Sequence, residues 1–347
     1  MKRKSINPLI EKIKNTAAEI GRDVVLMEVC GTHTQAISEK GIRNILPKNI
    51  KLISGPGCPV CVTAQEDIDM VVHLALSGIP IATYGDMLRV PGNFGSLEEA
   101  RSAGAKVFSV YSVEDALRLR KQHPNLVFFG LGFDTTAPMT AVALEEGLIT
   151  YSVHKLFLPA MEALLEMNET KIDGFISPGH VSAIAGIEPY RRMKMAQVIT
   201  GFETEDLIVG IYMLLRQIAE GRREVENEYK RAVKEEGNLV AQKIISKYFT
   251  ISDAKWRGFG MIPRSGLEVK DPKLNAKIVH KGVIAKMDAS KIKEQSGCKC
   301  GEIIRGLLAP EKCPMFAKAC TPKKPFGPCM VSQEGACSVE YKFRSLK

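Results

Sequence analysis

Several features are missing from this sequence, and each absence narrows what it does. No apolar run approaches the ~18 residues that a membrane span requires, so no membrane association is expected. Behind the charged start Met1-Lys-Arg-Lys there is no apolar stretch or small-residue cleavage site of a secretory leader, and the expected location is the cytoplasm. Neither Gly-x-x-x-x-Gly-Lys-Ser/Thr nor Gly-x-Gly-x-x-Gly occurs, which disfavours direct nucleotide hydrolysis and NAD-dependent chemistry. Aromatic residues make up 6% of the chain, with a single tryptophan. Without an aromatic platform or a nucleic-acid motif, no nucleic-acid partner is expected.

What is present is a chain of 347 residues, 45% hydrophobic, which is enough for two or three cored domains. Nine cysteines are unusual for a reducing compartment, where thiols serve as metal ligands or redox pairs more often than as staples. Cys30, Cys58 and Cys61 lie early, none occurs over the next 236 residues, and six fall between Cys298 and Cys337. Charge follows the same division. Residues 1–250 are nearly balanced, so the net charge of +9 belongs to the cysteine-rich end. Positive surroundings there would offset the charge of a thiolate cluster.

Apolar runs at Val24–Val29, Ile50–Ile53, Ile79–Tyr84, Lys106–Val110 and Leu126–Leu131 read as buried strands separated by helical segments, an α/β pattern. Ligand sites in such folds form at the carboxyl ends of strands. Two of these strands lead into Cys30-Gly-Thr-His-Thr34 and Gly55-Pro-Gly-Cys-Pro-Val-Cys61, and the last ends in Gly132-Phe-Asp-Thr-Thr-Ala-Pro138. Ser177-Pro-Gly-His180 repeats the shape of the Pro-Gly-Cys turn. The similarity predicts two Rossmann-like α/β domains, residues 1–115 and 116–235, with Asp134 and His180 facing the cysteines across a cleft. Residues 236–347, joined by the N-terminal helix, form a third, irregular Fe–S domain. The segment Trp256-Arg-Gly-Phe-Gly-Met-Ile-Pro263 reads as irregular packing, and residues 85–95 as a loop.

The pair Cys58 and Cys61, in a turn stiffened by proline and glycine, closes into a disulfide, binds metal as thiolates, or alternates. Cys30, with His33 three residues on, is expected at a helix N-terminus, which lowers a thiol pKa. With Cys58 and Cys61 at the same sheet edge, it makes a three-thiolate site suited to iron, copper or zinc. Glu28, two before Cys30, reads equally as a hydrogen-bonded strand residue or as a catalytic one. The C-terminal spacing is Cys298-x-Cys300-x12-Cys313-x6-Cys320-x8-Cys329-x7-Cys337. Zinc sites favour close Cys pairs and histidine, neither of which dominates here, whereas an Fe–S cluster tolerates wide spacing. An Fe–S site, a zinc site and a disulfide set all remain open on spacing alone.

Taken together, Glu28 to Thr34, Gly55 to Cys61, Gly132 to Pro138, Ser177 to Ser182 and Cys320 to Cys337 resemble the HypD family of NiFe-hydrogenase maturation factors over residues 24–341. The resemblance implies two α/β domains plus a domain with a 4Fe-4S cluster. It also implies a complex with HypC and HypE in which the Fe(CN)2CO group is assembled, before transfer to the hydrogenase large subunit. By motif, Cys30 would hold the transient iron, with Cys58 and Cys61 as nearby thiol pair and candidate ligands. Cys298, Cys313, Cys320 and Cys337 would bind the cluster, and Cys300 and Cys329 would be a redox pair. His33, Asp134 and His180 would position or protonate the incoming group. Asp134 stands where many members carry glutamate. Such a protein is an assembly factor rather than a turnover enzyme. The rival reading is an Fe–S-dependent thiol–disulfide reductase acting on a protein disulfide, with the same cysteines.

Overall fold

The computed structural model describes residues 7–288, 290 and 297–344. They include eleven strands. Strands β1 (Val24–Glu28), β2 (Ile50–Ser54), β7 (Gly174–Pro178), β8 (Ala196–Thr200) and β9 (Val225–Asn227) form one parallel sheet in the order β2-β1-β7-β8-β9. Strands β3 (Ile81–Tyr84), β4 (Val107–Val110), β5 (Val127–Gly130) and β6 (Ile149–Ser152) form a second, in the order β4-β3-β5-β6. The architecture is therefore α/β with two Rossmann-like sheets, as expected. The last two strands, β10 (Phe249–Trp256) and β11 (Gly260–Val269), pair as an antiparallel hairpin where irregular packing was expected.

The expected boundary at residue 115 does not follow the strand pairing. β3 and β4 precede it but pair with β5, and β7 and β8 pair with β1. The first sheet is built from two separated stretches of chain, with the second sheet inserted between them. His180 consequently belongs to the same sheet as Cys30 and does not face it from another domain.

Alternation along the parallel strands divides the core. Leu26 and Ile176 point into a cluster beneath helices Asn7–Ile20 and Thr204–Ala219, with Ile13, Ala17, Leu207 and Leu214. Their neighbours Met27 and Phe175 point the other way, into a central core shared with Val127 and Phe129 of the second sheet. Burying such side chains on both faces is what favours a parallel sheet. Cys58, Cys61, Cys300, Cys320, Cys329 and Cys337 all belong to that central core, so the cysteine-rich segment shares its packing with the two sheets. The hairpin docks on the second sheet through Trp256, which stacks on Phe133 at 5.9 Å and donates its indole N–H to Ser265 Oγ. No described helix is long and apolar enough to cross a membrane.

Candidate functional site

In each sheet the chain turns outward in opposite directions from one pair of neighbouring strands, β1/β7 in the first and β3/β5 in the second. A crevice forms at the carboxyl end of such a pair. Cys30 follows β1 and His180 follows β7, so both stand at the first crevice. Asp86 follows β3 and Asp134 follows β5, at the second.

Cys30 is the N-cap of helix Gly31–Glu39, which includes His33 and Thr34. Its neighbour across the edge is the turn after β2. Gly31 N–H donates to Gly57 O at 3.0 Å, and a Cβ on Gly57 would fall 2.4 Å from Cys30 Cα and N. Only glycine permits the two cysteine loops to lie this close. Cys58 and Cys61 are joined as a disulfide, with Cys61 N–H donating to Cys58 Sγ at 3.1 Å. Cys58 is the N-cap of the short helix Pro59–Val62, and Cys61 lies within it.

The electrostatics around Cys30 differ from the sequence expectation. Burial pushes its thiol up to about 12, backbone N–H donation from His33 opposes this, and the charges of Glu334 and Glu28 add to the rise. A helix N-terminus alone does not offset that desolvation. Glu28 is fully buried and raised by burial to about 7, against hydrogen bonds from Ser54 and Thr34. Its two oxygens accept from Thr34 Oγ1 at 2.6 Å and Cys30 N–H at 3.2 Å. His33 is also fully buried, lowered by burial to about 4, with Nε2 2.9 Å from Gly201 O and, among the described residues, no hydrogen-bond partner for Nδ1. Phe202, following β8, lies between the two histidines: its ring centroid is 3.8 Å from that of exposed His180 and 4.8 Å from that of His33. Asp134 sits farther off, raised by burial to about 6, and its Oδ2 accepts the N–H of Phe157 at the start of helix Phe157–Met167. Buried Tyr190 feels the charges of both Asp134 and Cys30, and its hydroxyl accepts from Ser182.

The six C-terminal cysteines line a single small pocket, with Ile303, Met315, Phe316, Phe326 and Met330 as its apolar walls. Cys300 Sγ and Cys329 Sγ are 2.9 Å apart, and Cys329 is also hydrogen-bonded to Cys337. Burial raises Cys298 to about 12, with the neighbouring Cys300 adding to it. Phe326 N–H donates to Cys320 Sγ at 3.3 Å. A purely thiolate donor set with backbone N–H groups aimed at sulfur fits an Fe–S cluster, whose potential such bonds tune.

Sequence reasoning missed the residues that tie this pocket to both crevices. Ser332 Oγ and Gln333 N–H donate to Asp86 Oδ2 at 3.0 and 3.1 Å, while Glu334 Oε1 accepts from Thr32 Oγ1 at 3.1 Å, next to Cys30. Burial raises the Glu334 carboxyl. The only local signal was three polar residues immediately before Gly335-Ala-Cys337. Helices Cys300–Ile304 and Pro328–Val331 both pack on helix Pro59–Val62, so the two thiol pairs stand on touching elements.

Residues 4–344 match the family model described as HypD: Hydrogenase formation hypA family. The chain is 42% identical to hydrogenase maturation factor HypD2 of Bradyrhizobium diazoefficiens over 341 residues, covering 91% of this chain and 88% of the relative. It is 40% identical over 360 residues to the Cupriavidus necator factor HypD, covering 95% and 92%. It is 38% identical over 357 residues to that of Escherichia coli, covering 97% and 94%.

Proposed function

The chain belongs to the HypD family, and from that premise we propose that it matures a NiFe hydrogenase by holding iron while the Fe(CN)2CO group is assembled on it. The observation that carries this reading is the alignment of three thiol stations: the Cys30 loop, the Cys58–Cys61 turn against it, and the six-thiol pocket packed behind that turn. Cys298, Cys313, Cys320 and Cys337 are the residues that would hold a 4Fe-4S cluster. Such a cluster supplies electrons singly. Cys300 and Cys329, within 2.9 Å, form the dithiol that converts single electrons into the two needed for disulfide chemistry.

As a disulfide, Cys58 and Cys61 offer no thiolate to a metal, so their reduction gates any part they take in holding iron. Cys30 keeps its proton at neutral pH and releases it only as the metal binds. Glu28 holds the Cys30 amide, and Phe202 holds the His180 ring at the mouth of the crevice. Those contacts orient the site toward a partner carrying the small ligands, a role that falls to HypC and HypE in this reading. The work is cytoplasmic, and the product passes to the hydrogenase large subunit.

To test this, Cys30→Ala is purified anaerobically with its partners and the cyanide and carbonyl infrared bands are recorded. They are expected to vanish, and undiminished bands would sink the assignment. The disulfide seen at Cys58–Cys61 also favours a second reading, a thiol–disulfide reductase for a protein substrate. It predicts no iron beyond the cluster's own in the purified complex, which metal analysis measures.

A further inference from the structure

The positive charge of the C-terminal end is concentrated in one place. Residues 310–326 carry Lys312, Lys318, Lys323 and Lys324 against a single carboxylate, Glu311. All four lysines are exposed, and among the described residues none makes an ion pair, whereas Lys299 is held by Glu302 at 2.6 Å. Thr321 and Lys324 each donate a backbone N–H to the other's carbonyl at 3.1 Å, which closes a turn with Lys323 at its tip. Exposed Arg89, just beyond β3, donates to Pro322 O at 3.2 Å and sets a fifth cation beside that turn.

The same segment is one wall of the six-thiol pocket, to which it contributes Cys313, Met315, Phe316, Cys320 and Phe326. Burial of the thiols has a direction. Cys298 and Cys313 are partly exposed, while Cys300, Cys320, Cys329 and Cys337 are buried. The helices carrying Cys300 and Cys329 pack on helix Pro59–Val62 of the disulfide turn. On the exposed side, Lys312 directly precedes Cys313. The pocket thus has an inner side against the disulfide and an outer side bordered by cations without carboxylate partners. Phe316 N–H donates to Cys313 O at 3.0 Å and Cys320 N–H to Met315 O at 2.9 Å, and Pro314, Pro322 and Pro325 stiffen the rest. Such a surface is formed before a partner arrives, which lowers the cost of binding.

We propose that Arg89, Lys312, Lys318, Lys323 and Lys324 form the docking surface for a small acidic protein that carries single electrons, which enter the pocket at its Cys298–Cys313 side. This rests on the reading above, in which the pocket feeds the Cys58–Cys61 disulfide. At each encounter the carrier is oxidised by one electron. Two encounters and two protons from water convert the disulfide into two thiols, with Cys300 and Cys329 as the relay. Charge complementarity gives the partner's sign. Exposed cations steer an acidic surface into contact and hold it weakly, as repeated one-electron delivery demands. Interfaces of electron carriers are small and transient, on the scale of this segment. A nucleic acid would share the sign but stacks its bases on exposed rings, and Phe316 and Phe326 belong to the pocket wall.

The full-length chain, purified anaerobically, is titrated with an oxidised acidic ferredoxin as probe, and binding is read by calorimetry at about 20 mM and about 300 mM sodium chloride. The wild type is expected to bind and to lose about tenfold in affinity at the higher salt. Lys323→Glu/Lys324→Glu is expected to weaken binding about tenfold at low salt, and Lys312→Glu about threefold. Lys106→Glu/Lys121→Glu makes the same change of net charge at the amino end of the second sheet, and is expected to leave affinity within about twofold. A second readout follows reduction of Cys58–Cys61 by alkylation and peptide mass spectrometry. Reduced ferredoxin is expected to lose most of its rate on Lys323→Glu/Lys324→Glu, and dithionite, which needs no docking, to keep its rate. No binding by the wild type, equal weakening by both double variants, or tighter binding of a mixed-sequence RNA would overturn this inference alone. A wild-type disulfide that neither reductant opens, although ferredoxin binds, would overturn the reading beneath it.

Discussion

At the scale of single residues, the site depends on close approach and on burial more than on ordinary catalytic pairing. Gly57 has no side chain because the Cys30 backbone occupies the space. Gly57→Ala is therefore expected to push the two cysteine loops apart and break the Gly31–Gly57 hydrogen bond. The cost is about 1–3 kcal/mol of stability, as for other overpacked sites, and iron retention falls with it. Urea unfolding beside metal analysis measures both, and a variant with normal stability and iron content would refute the close approach. Asp134 makes a different argument. Burial raises its carboxyl to about 6 from the usual 3.8. Between those values the folded chain binds more protons than the unfolded one, so stability is greatest below pH 4 and declines as pH rises to about 6. Asp134→Asn does not ionise and can still accept from Phe157. It is expected to be more stable than the wild type by about 2–3 kcal/mol at pH 7.5 and equal to it at pH 4. Equal gains at both values in urea titrations would contradict this. The sequence singled out Asp134 as a candidate site residue but could not show that its carboxylate is tied to a helix start.

At the scale of elements, the parallel strands were legible and the hairpin was not. Val24-Val-Leu-Met-Glu and Val127-Phe-Phe-Gly are short apolar runs because both faces of a parallel strand are buried. β10 reads Phe249-Thr-Ile-Ser-Asp-Ala-Lys-Trp, largely exposed and broken by a register shift between Ser252 and Ala254, so its alternation is lost. What holds the hairpin on β6 is a set of long-range bonds with no local signature. Leu267 N–H donates to His154 O, Ser152 Oγ donates to Leu267 O, and the ring of fully buried His154 lies 3.1 Å from Thr140 Oγ1. Burial depresses that ring to about 3. A depressed histidine leaves the folded state binding fewer protons below pH 6.5, so stability falls as the solution is acidified. Between pH 6.5 and pH 5 the wild type is expected to lose about 2 kcal/mol through this ring. In His154→Gln that part of the loss is absent, and identical pH slopes for the two proteins in urea unfolding would refute the assignment.

At the scale of the whole molecule, the cysteines could be counted from the sequence, but the geometry uniting them could not. Strand pairing across about 150 residues, Glu28 beside Ile176, brings Cys30 and His180 to one crevice. Residues 332–334 bind Asp86 of one sheet edge and Thr32 of the other. Each pairing is cheap to see in three dimensions and leaves no trace in local periodicity, which is why two consecutive domains seemed the simpler partition. The interleaving has a direct consequence for fragments. A chain of residues 1–115 retains β1 and β2 but lacks β7, their neighbour, and helix Thr204–Ala219, which covers Leu26. It retains β3 and β4 without β5. Both half-sheets would expose strand edges and apolar faces that the whole chain buries. The fragment is expected to show neither a cooperative thermal transition nor dispersed amide resonances, however it is supplied with iron. Mixing it with residues 116–347 is expected to restore both, because the missing strands return from the second piece. A 1–115 fragment that folds cooperatively alone would mean that the two sheets are not mutually dependent, and the crevice holding Cys30 would then have to form without β7.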